Sequence, residues 1–133
     1  MIGFSLARRG ALAIAAAGLL LAAASAGGGG NAEAAGALAV GACGAYGYGY
    51  DFHKVADARS AAMKKCAGGK CRIVGIMRRG CAAMAVDAKR PCGSYGWAIG
   101  PHLGVAENTS MRRCVQFGGS ACMVRAWACD EKG

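Results

Sequence analysis

Eight cysteines carry the clearest chemistry in this chain. They are Cys43, Cys66, Cys71, Cys81, Cys92, Cys114, Cys122 and Cys129. An even number of cysteines in a small exported chain is typical of a disulfide framework. The spacing of Cys66 and Cys71 is too long for a redox C-x-x-C motif, and a zinc site would need four converging thiolate or imidazole ligands. We therefore predict structural disulfides, with no metal and no cofactor.

Two of the bonds are predicted from the local sequence. Cys66 ends a predicted helix and Cys71 begins the strand that follows it, and Cys114 and Cys122 have the same relation to a second predicted helix and strand. The connecting loops are short, so each pair is brought together whatever the rest of the fold. We predict that Cys66 bonds to Cys71 and that Cys114 bonds to Cys122.

A third bond is predicted from a repeated motif. Residues 43–48 read CGAYGY and residues 92–97 read CGSYGW, and each copy is followed by a turn with a histidine and by a helix-like run. Cys43 and Cys92 hold the same position in the two copies. Equivalent positions bond to each other only near a pseudo-two-fold axis, where the bond would close a loop of about 50 residues and contribute on the order of 4 kcal/mol. We predict both the bond and the axis.

The two histidines, His53 and His102, are 49 positions apart, which is also the offset of the two motifs. A pseudo-two-fold axis could bring them together as metal ligands or as a general-base pair. The alternative is that each lies exposed in the turn before a helix. No equivalent carboxylate accompanies both histidines, so we favour the second interpretation.

The motif also places aromatic side chains in strands. Tyrosine or tryptophan alternates with glycine in both copies, and alternation with a period of two indicates a strand with its aromatic residues on one face. The aromatic positions are Tyr46, Tyr48, Tyr50, Tyr95 and Trp97. The glycines on the opposite face leave room for another backbone to approach closely.

Two interpretations of these aromatic residues stay open. Beside the cations Arg78, Arg79, Arg112 and Arg113, they could form a surface where rings stack on sugars or bases and cations hold phosphate or uronate groups. Alternatively, the aromatic face of each strand packs beneath a helix. We favour packing, because a Gly- and Ala-rich domain has few other large side chains for its core.

The first 34 residues have the features of a secretory signal peptide and spacer. Arg8 and Arg9 precede an apolar run over residues 11–24, and small-residue motifs predict cleavage after Ala26 or Ala34. The run is shorter than the roughly 20 residues of a membrane-spanning helix, so we expect cleavage and no membrane span in the mature protein. The mature part keeps all eight cysteines and, with 14 basic and 6 acidic residues, a formal charge of +8. We expect export to the periplasm or the extracellular space.

Hydrophobic spacing predicts strands, helices and turns in a repeating order. The predicted strands cover residues 37–40, 46–50, 71–77, 81–86, 95–97 and 122–127. The first helix covers about residues 54–65, after a turn at 51–53, and the second opens at Pro101 and runs to Cys114. Their inward stripes are Val55, Ala58, Ala62 and Cys66 in the first helix and Leu103, Ala106, Ser110 and Cys114 in the second.

Each unit therefore has the order strand, strand, helix, strand. We predict that residues 36–130 form one small, disulfide-stapled α+β domain with an internal duplication, residues 36–79 and 80–130. Two units are too few for an open solenoid, so the halves should pack around the pseudo-two-fold axis.

This order of motifs resembles the bacterial secreted family catalogued as domain of unknown function 4189, over about residues 36–129. The segments that carry the likeness are residues 36–39, 45–48, 66–71, 80–83 and 127–129. The family's commoner cysteine set corresponds to Cys66, Cys71, Cys81 and Cys129. With the three other pairs assigned, the resemblance implies a fourth bond between Cys81 and Cys129. It also implies an exported globular domain, and it brings no catalytic residues.

The sequence supports three functional hypotheses. The first is a non-catalytic binding module for an anionic envelope component, because a positive charge excess, which includes Lys89 and Arg90, favours anionic partners. The second is an inhibitor or immunity-type partner of a secreted enzyme, for which a rigid disulfide scaffold with exposed loops is suited. The third is a small hydrolase built on His53, His102 and Asp51. Nucleic acid is not expected as a partner in vivo.

Overall fold

A computed structural model of the protein describes residues 34–130. The predicted signal peptide and its cleavage sites, apart from Ala34, lie outside the described residues. The strands and helices are β1 Ala35–Val40, β2 Tyr46–Phe52, α1 Val55–Lys65, β3 Arg72–Met77, β4 Cys81–Asp87, β5 Tyr95–Gly100, α2 Leu103–Gln116 and β6 Cys122–Cys129. A short 3-10 helix, Ala42–Gly44, precedes β2. Several strands extend a few residues beyond their predicted limits, and Asp51 and Phe52 continue β2 instead of forming a turn.

The six strands form two antiparallel sheets with matching topology, in the orders β2-β1-β3 and β5-β4-β6. The two sheets also share an irregularity in register. The pairing of β1 with β3 shifts between Leu38 and Ala39, and the pairing of β4 with β6 shifts between Met84 and Ala85. These positions correspond in the two copies of the sequence. The predicted α+β domain of two strand-strand-helix-strand units is confirmed.

The sheets pack face to face and each carries one helix on its outer face. The inner faces provide the larger side chains of the core, such as Leu38, Met77, Met84 and Val86. The outer face of the first sheet contacts α1 through small residues, as in the packing of Ala39 against Ala62. The predicted inward stripes of both helices are buried or half-buried. Small residues thus allow close approach of sheet and helix, with Phe52, Ile73 and Ile76 packed around the contact. The larger fully buried side chains lie between the sheets.

Contacts between the sheets fix which edges meet. Strand β2 contacts β6, and β3 contacts β5. The central strands β1 and β4 are buried along their whole length. A two-fold axis that runs parallel to the strands between the sheets would give this arrangement, because it places the second strand of one unit beside the last strand of the other.

Four disulfides close the domain, and they are the four predicted pairs. The bonds are Cys43–Cys92, Cys66–Cys71, Cys81–Cys129 and Cys114–Cys122. Cys43–Cys92 joins the two units, whereas each of the other three lies within one unit. No cysteine is free. A domain of this size with four disulfides is typical of an oxidising compartment outside the cytoplasm.

Within residues 34–130, no helix has the length and apolar character needed to cross a membrane.

Candidate functional site

The aromatic side chains of β2 and β5 point toward the opposite sheet. Tyr46, Tyr48, Tyr95 and Trp97 are half-buried against the inter-sheet core. The rings therefore contribute to the core, as a Gly- and Ala-rich chain requires. However, the interpretation that places them beneath a helix is wrong, since their packing partner is the other sheet. Because the rings are only half-buried, part of each stays accessible at the seam where the two sheets meet.

The glycines between the aromatic residues face the helices. A Cβ atom on Gly47 would overlap the Ala62 carbonyl oxygen of α1, and a Cβ atom on Gly96 would overlap the Ser110 carbonyl oxygen of α2. The backbone of each helix therefore lies directly on its strand. This close approach holds the last turn of the helix beside the aromatic residues, and a disulfide at Cys66 or Cys114 fixes the helix end.

The first groove lies at the seam between β2 and β6. We use this name for the space of about 570 Å³ whose walls include Tyr46, Tyr48, Lys65 and Arg125. The rings of Tyr46 and Tyr48 are parallel, with centroids 6.2 Å apart. The Lys65 ammonium lies 5.3 Å from the centroid of Tyr48. Tyr50 extends the row of stacked rings along the strand, 6.0 Å from Tyr48.

The second groove lies at the opposite seam, between β5 and β3. Its volume is about 530 Å³, and it is lined by Arg72, Gly93, Tyr95, Trp97, Arg113 and Phe117. The Arg113 guanidinium lies 5.3 Å from the centroid of Trp97 and also donates a hydrogen bond of 2.6 Å to the Trp97 carbonyl oxygen. A cation over a ring is stabilised by about 0.5–2 kcal/mol. Two contacts to one residue therefore hold Arg113 in place at the groove.

The electrostatics of both grooves favour anions. No carboxylate is among the described residues that line either groove. Of the acidic residues in positions 34–130, Asp87 and Asp130 are fully buried. Their charges are therefore withdrawn from the surface, while all the lysines and arginines of this part are exposed or, for Arg113, half-buried.

The predicted cations are placed in different parts of the surface. Arg113 lines the second groove, but its neighbour Arg112 is exposed and bonds to Thr109 Oγ1 at 3.1 Å outside the groove. Arg78 is exposed, and Arg79 lines a separate cleft of about 500 Å³ near the Cys81–Cys129 disulfide.

Three cations of the grooves were missed by sequence reasoning, namely Lys65, Arg72 and Arg125. A signal existed for Lys65, because it holds the same position before a cysteine as Arg113 does in the second copy. Arg72 and Arg125 reach the grooves through the pairing of sheet edges between the two units. No sequence pattern within either copy predicts which sheet edges of the two units meet.

The residues of the hydrolase hypothesis are exposed or line different clefts. Both histidines are exposed, in the turns before α1 and α2. His102 lines the cleft that contains Arg79 and Asp130, whereas Asp51 lines a neighbouring cleft with Tyr50 and Arg125. Among the described residues, no group of three or more His, Cys, Asp or Glu side chains is placed to hold a metal ion.

Asp51 and Asp130 connect the two units at the end opposite to the Cys43–Cys92 bond. The Asp51 N–H donates to Asp130 Oδ1 at 3.2 Å. Burial raises the pKa of Asp130, and the nearby Asp51 carboxyl group raises it further, although N–H groups of Asp51 and Arg79 act in the opposite direction. The contact between the units therefore contains a carboxyl group whose protonated form is favoured by its surroundings.

Asp87 is a buried carboxylate that sequence reasoning did not identify. Its oxygens accept hydrogen bonds from the backbone N–H groups of Ser120, Lys89 and Arg90, and these bonds lower its pKa. Asp87 therefore ties the loop before β5 to the loop before β6. The sequence does contain a feature from which this role could be predicted, namely the position of Asp87 between a strand and a loop. An aspartate at such a position commonly accepts hydrogen bonds from nearby backbone N–H groups.

Comparison with known proteins places the fold in a family. Residues 35–129 match the family described as a domain of unknown function, DUF4189. The chain belongs to the DUF4189 family. Among solved structures, the chain is similar to the NMR structure of Rv1813c from Mycobacterium tuberculosis, with a TM-score of 0.52 and 22% identity over 72% of this chain and 75% of that chain. At this identity the likeness concerns the fold alone. No curated protein matches the chain.

The DUF4189 match has the same limits as the two-sheet core. It begins at the first residue of β1 and ends at the last residue of β6. Both grooves and all four disulfides lie within it. The resemblance found in the sequence is thereby confirmed, and the candidate site belongs to the family domain itself.

Proposed function

We propose that this DUF4189 protein is an exported, non-catalytic module that binds an anionic polymer of the cell envelope. The observation that carries the proposal is the pairing of a cation with an aromatic ring at each seam. Lys65 lies over Tyr48 and Arg113 lies over Trp97, both at 5.3 Å from the ring centroid. An arginine of the other sheet lines each groove beside its pair, Arg125 in the first and Arg72 in the second.

The contacts of Arg113 suit it to an oxyanion. A guanidinium has five N–H donors in a planar fork, and the Trp97 carbonyl oxygen takes a donor of the Nη1 atom. The remaining donors are available for carboxylate or phosphate groups, which guanidinium binds in bidentate geometry. Because the side chain is already ordered by its contacts to Trp97, less entropy is lost when a ligand binds.

The setting of the grooves supports a polymer as the ligand. Both grooves are open at the surface, and the neighbouring cleft continues the first groove past Tyr50 toward Trp127. An open path of this kind, lined by Lys65 and Arg125 in the groove and by one carboxylate, Asp51, in the neighbouring cleft, can follow an extended chain. The disulfides are consistent with an oxidising location, and the predicted signal peptide supports export to the periplasm or beyond.

A salt titration tests this function. The oxidised protein is mixed with polygalacturonate, an acidic polysaccharide, and with dextran, a neutral one, at salt concentrations from about 50 to 500 mM. We expect binding to polygalacturonate that weakens steeply with salt, because counterions are released on binding, and no binding to dextran. Equal binding to both polymers at all salt concentrations would contradict the proposal.

A second candidate function is that of an inhibitor or immunity-type partner of a secreted enzyme. The observation that favours it is the exposure of large apolar side chains, with Trp127 at 55% and Phe117 at 69%. Aromatic residues of this kind dominate the energetics of protein interfaces. A one-to-one protein complex over an apolar patch should lose little affinity between low and high salt, which separates it from the first candidate in the same titration.

A further inference from the structure

The two grooves are built from corresponding positions of the two units. Each has a glycine at its floor, two aromatic residues at alternate positions of a strand, and a cation from the last turn of the helix. The corresponding residues are Gly44 and Gly93, Tyr46 and Tyr95, Tyr48 and Trp97, and Lys65 and Arg113. The distance from cation to ring centroid is 5.3 Å in both.

Each groove is completed by an arginine from the other unit. Arg125 of β6 lines the first groove, and Arg72 of β3 lines the second. The two arginines are on corresponding strands, but at positions two residues apart. Arg72 pairs with Val40, and the residue that pairs with the equivalent Val86 is Met123, two residues before Arg125. A single unit therefore has an incomplete site, and the assembled domain has two.

The sandwich separates the two grooves. The first lies where β2 meets β6 and the second where β3 meets β5, so the buried strands β1 and β4 lie between them. A ligand in one groove contacts a different set of residues from a ligand in the other. The Cys43–Cys92 bond joins the segments before β2 and β5 and so fixes the two grooves relative to each other.

We propose that the protein is bivalent, with each groove binding a short segment of an acidic polysaccharide through its carboxylate or phosphate groups. This inference rests on the proposed function and adds its stoichiometry and ligand class. One molecule then holds two polymer segments at opposite edges of the domain. Two linked sites raise the overall avidity without any new contact.

The ring contacts favour sugars over nucleic acid bases. Lys65 and Arg113 already occupy a face of Tyr48 and Trp97, and Tyr46 and Tyr50 stack along Tyr48. The rings are also half-buried against the core, so little ring face is left on which a base could stack. An acidic sugar can instead be held through its carboxylate and hydroxyl groups by the cationic N–H groups of each groove.

Stoichiometry with a short probe tests the proposal. Trigalacturonate, a linear trimer of uronic acid, is titrated into the oxidised protein by calorimetry, and a phosphorylated trisaccharide is used in parallel to distinguish carboxylate from phosphate. We expect two bound trimers per protein molecule. Lys65→Gln and Arg113→Gln should each reduce this number to one, with the remaining site within about twofold of its original affinity because the sites share no contacts.

A second measurement tests the number of binding sites without any substitution. In an NMR titration of the unsubstituted protein, amide signals of Gly47 and Lys65 should shift together with those of Gly96 and Arg113. One trimer per molecule, with shifts in one groove, would overturn bivalency and leave the proposed function standing. Absence of binding to trimers and to polygalacturonate would overturn both. Tighter binding of a single-stranded oligonucleotide of equal charge would overturn the assignment to saccharides.

Discussion

At the scale of single residues, adjacent cations of the same type have different positions in the structure. Lys64 and Lys65 are consecutive in α1, and Arg112 and Arg113 are consecutive in α2. Consecutive helical residues point about 100° apart, so one member of each pair reaches a groove and the other faces solvent. Composition and charge predict a cationic surface. They could not select Arg113 over Arg112, because that choice depends on which side of the helix meets β5.

The Asp51–Asp130 pair leads to a prediction about pH. The pKa of Asp130 is raised in the folded protein above its ordinary value of 3.8. A carboxyl group with a raised pKa in the folded protein contributes its full stabilisation at pH values below its pKa in the unfolded chain. This contribution is lost as the pH rises through its pKa in the folded protein. Asp130→Asn, which stays uncharged, should therefore gain stability relative to the unsubstituted protein as the pH rises from 3 to 7. Urea unfolding at several pH values measures the difference.

Asp87 is the control for this measurement, because its pKa is shifted in the opposite direction. Its folded pKa is lowered, first by the Ser120 N–H and then by the Lys89 N–H, so its contribution is present above the unfolded pKa and lost as the pH falls through the folded pKa. Asp87→Asn should cost stability at pH 7 and cost less in acid. The same pH trend for both variants would contradict the assigned environments.

At the scale of elements, the glycines of β2 and β5 set the distance between sheet and helix. Gly47→Ala or Gly96→Ala would drive a methyl group into helix backbone. Overpacking of this kind costs about 1–3 kcal/mol, and more where the obstacle is backbone. We expect each variant to lower the free energy of unfolding by at least about 2 kcal/mol in a urea titration.

Gly104→Ala provides a matched control in α2. A Cβ atom there would have no neighbour within 4 Å, and alanine is the better helix former by up to about 1 kcal/mol. This variant should be neutral or stabilising. If Gly47→Ala and Gly96→Ala were equally well tolerated, the helices could not lie as close to the strands as the structure places them.

The elements themselves were largely predictable from sequence. Alternation of aromatic residues with glycine indicated β2 and β5, and the stripes at Ala58 and Ala62 and at Ala106 and Ser110 indicated both helices. The direction of the aromatic side chains was not predictable. Alternation assigns residues to two faces of a strand, but it does not say which face meets a helix and which meets a second sheet. The meeting of β2 with β6 depends on contacts between distant parts of the chain.

At the scale of the whole molecule, Cys43–Cys92 is the bond that joins the two units. Its cysteines are 49 positions apart, against 5 for Cys66 and Cys71. Closing a loop of that length contributes about 4 kcal/mol, and the short loop contributes about 2 kcal/mol. Replacing Cys43 and Cys92 together by serine should therefore lower the free energy of unfolding by about 2 kcal/mol more than replacing Cys66 and Cys71. Denaturant titration under oxidising conditions measures the free energy of unfolding of both variants. If the two variants lost equal stability, the Cys43–Cys92 bond would not restrict the unfolded chain to the extent that its loop length predicts.

The central claim is that anions bind in the grooves and not over the cationic surface in general. Its most direct test compares two double variants of identical charge. Lys65→Gln with Arg113→Gln removes one cation from each groove, and Lys64→Gln with Arg112→Gln removes their exposed neighbours. Binding of each variant to polygalacturonate is measured at fixed salt. We predict that the groove variant binds at least about tenfold more weakly than its matched partner, since charged hydrogen bonds contribute about 1.5–3 kcal/mol each. Equal affinity of the two double variants would contradict it.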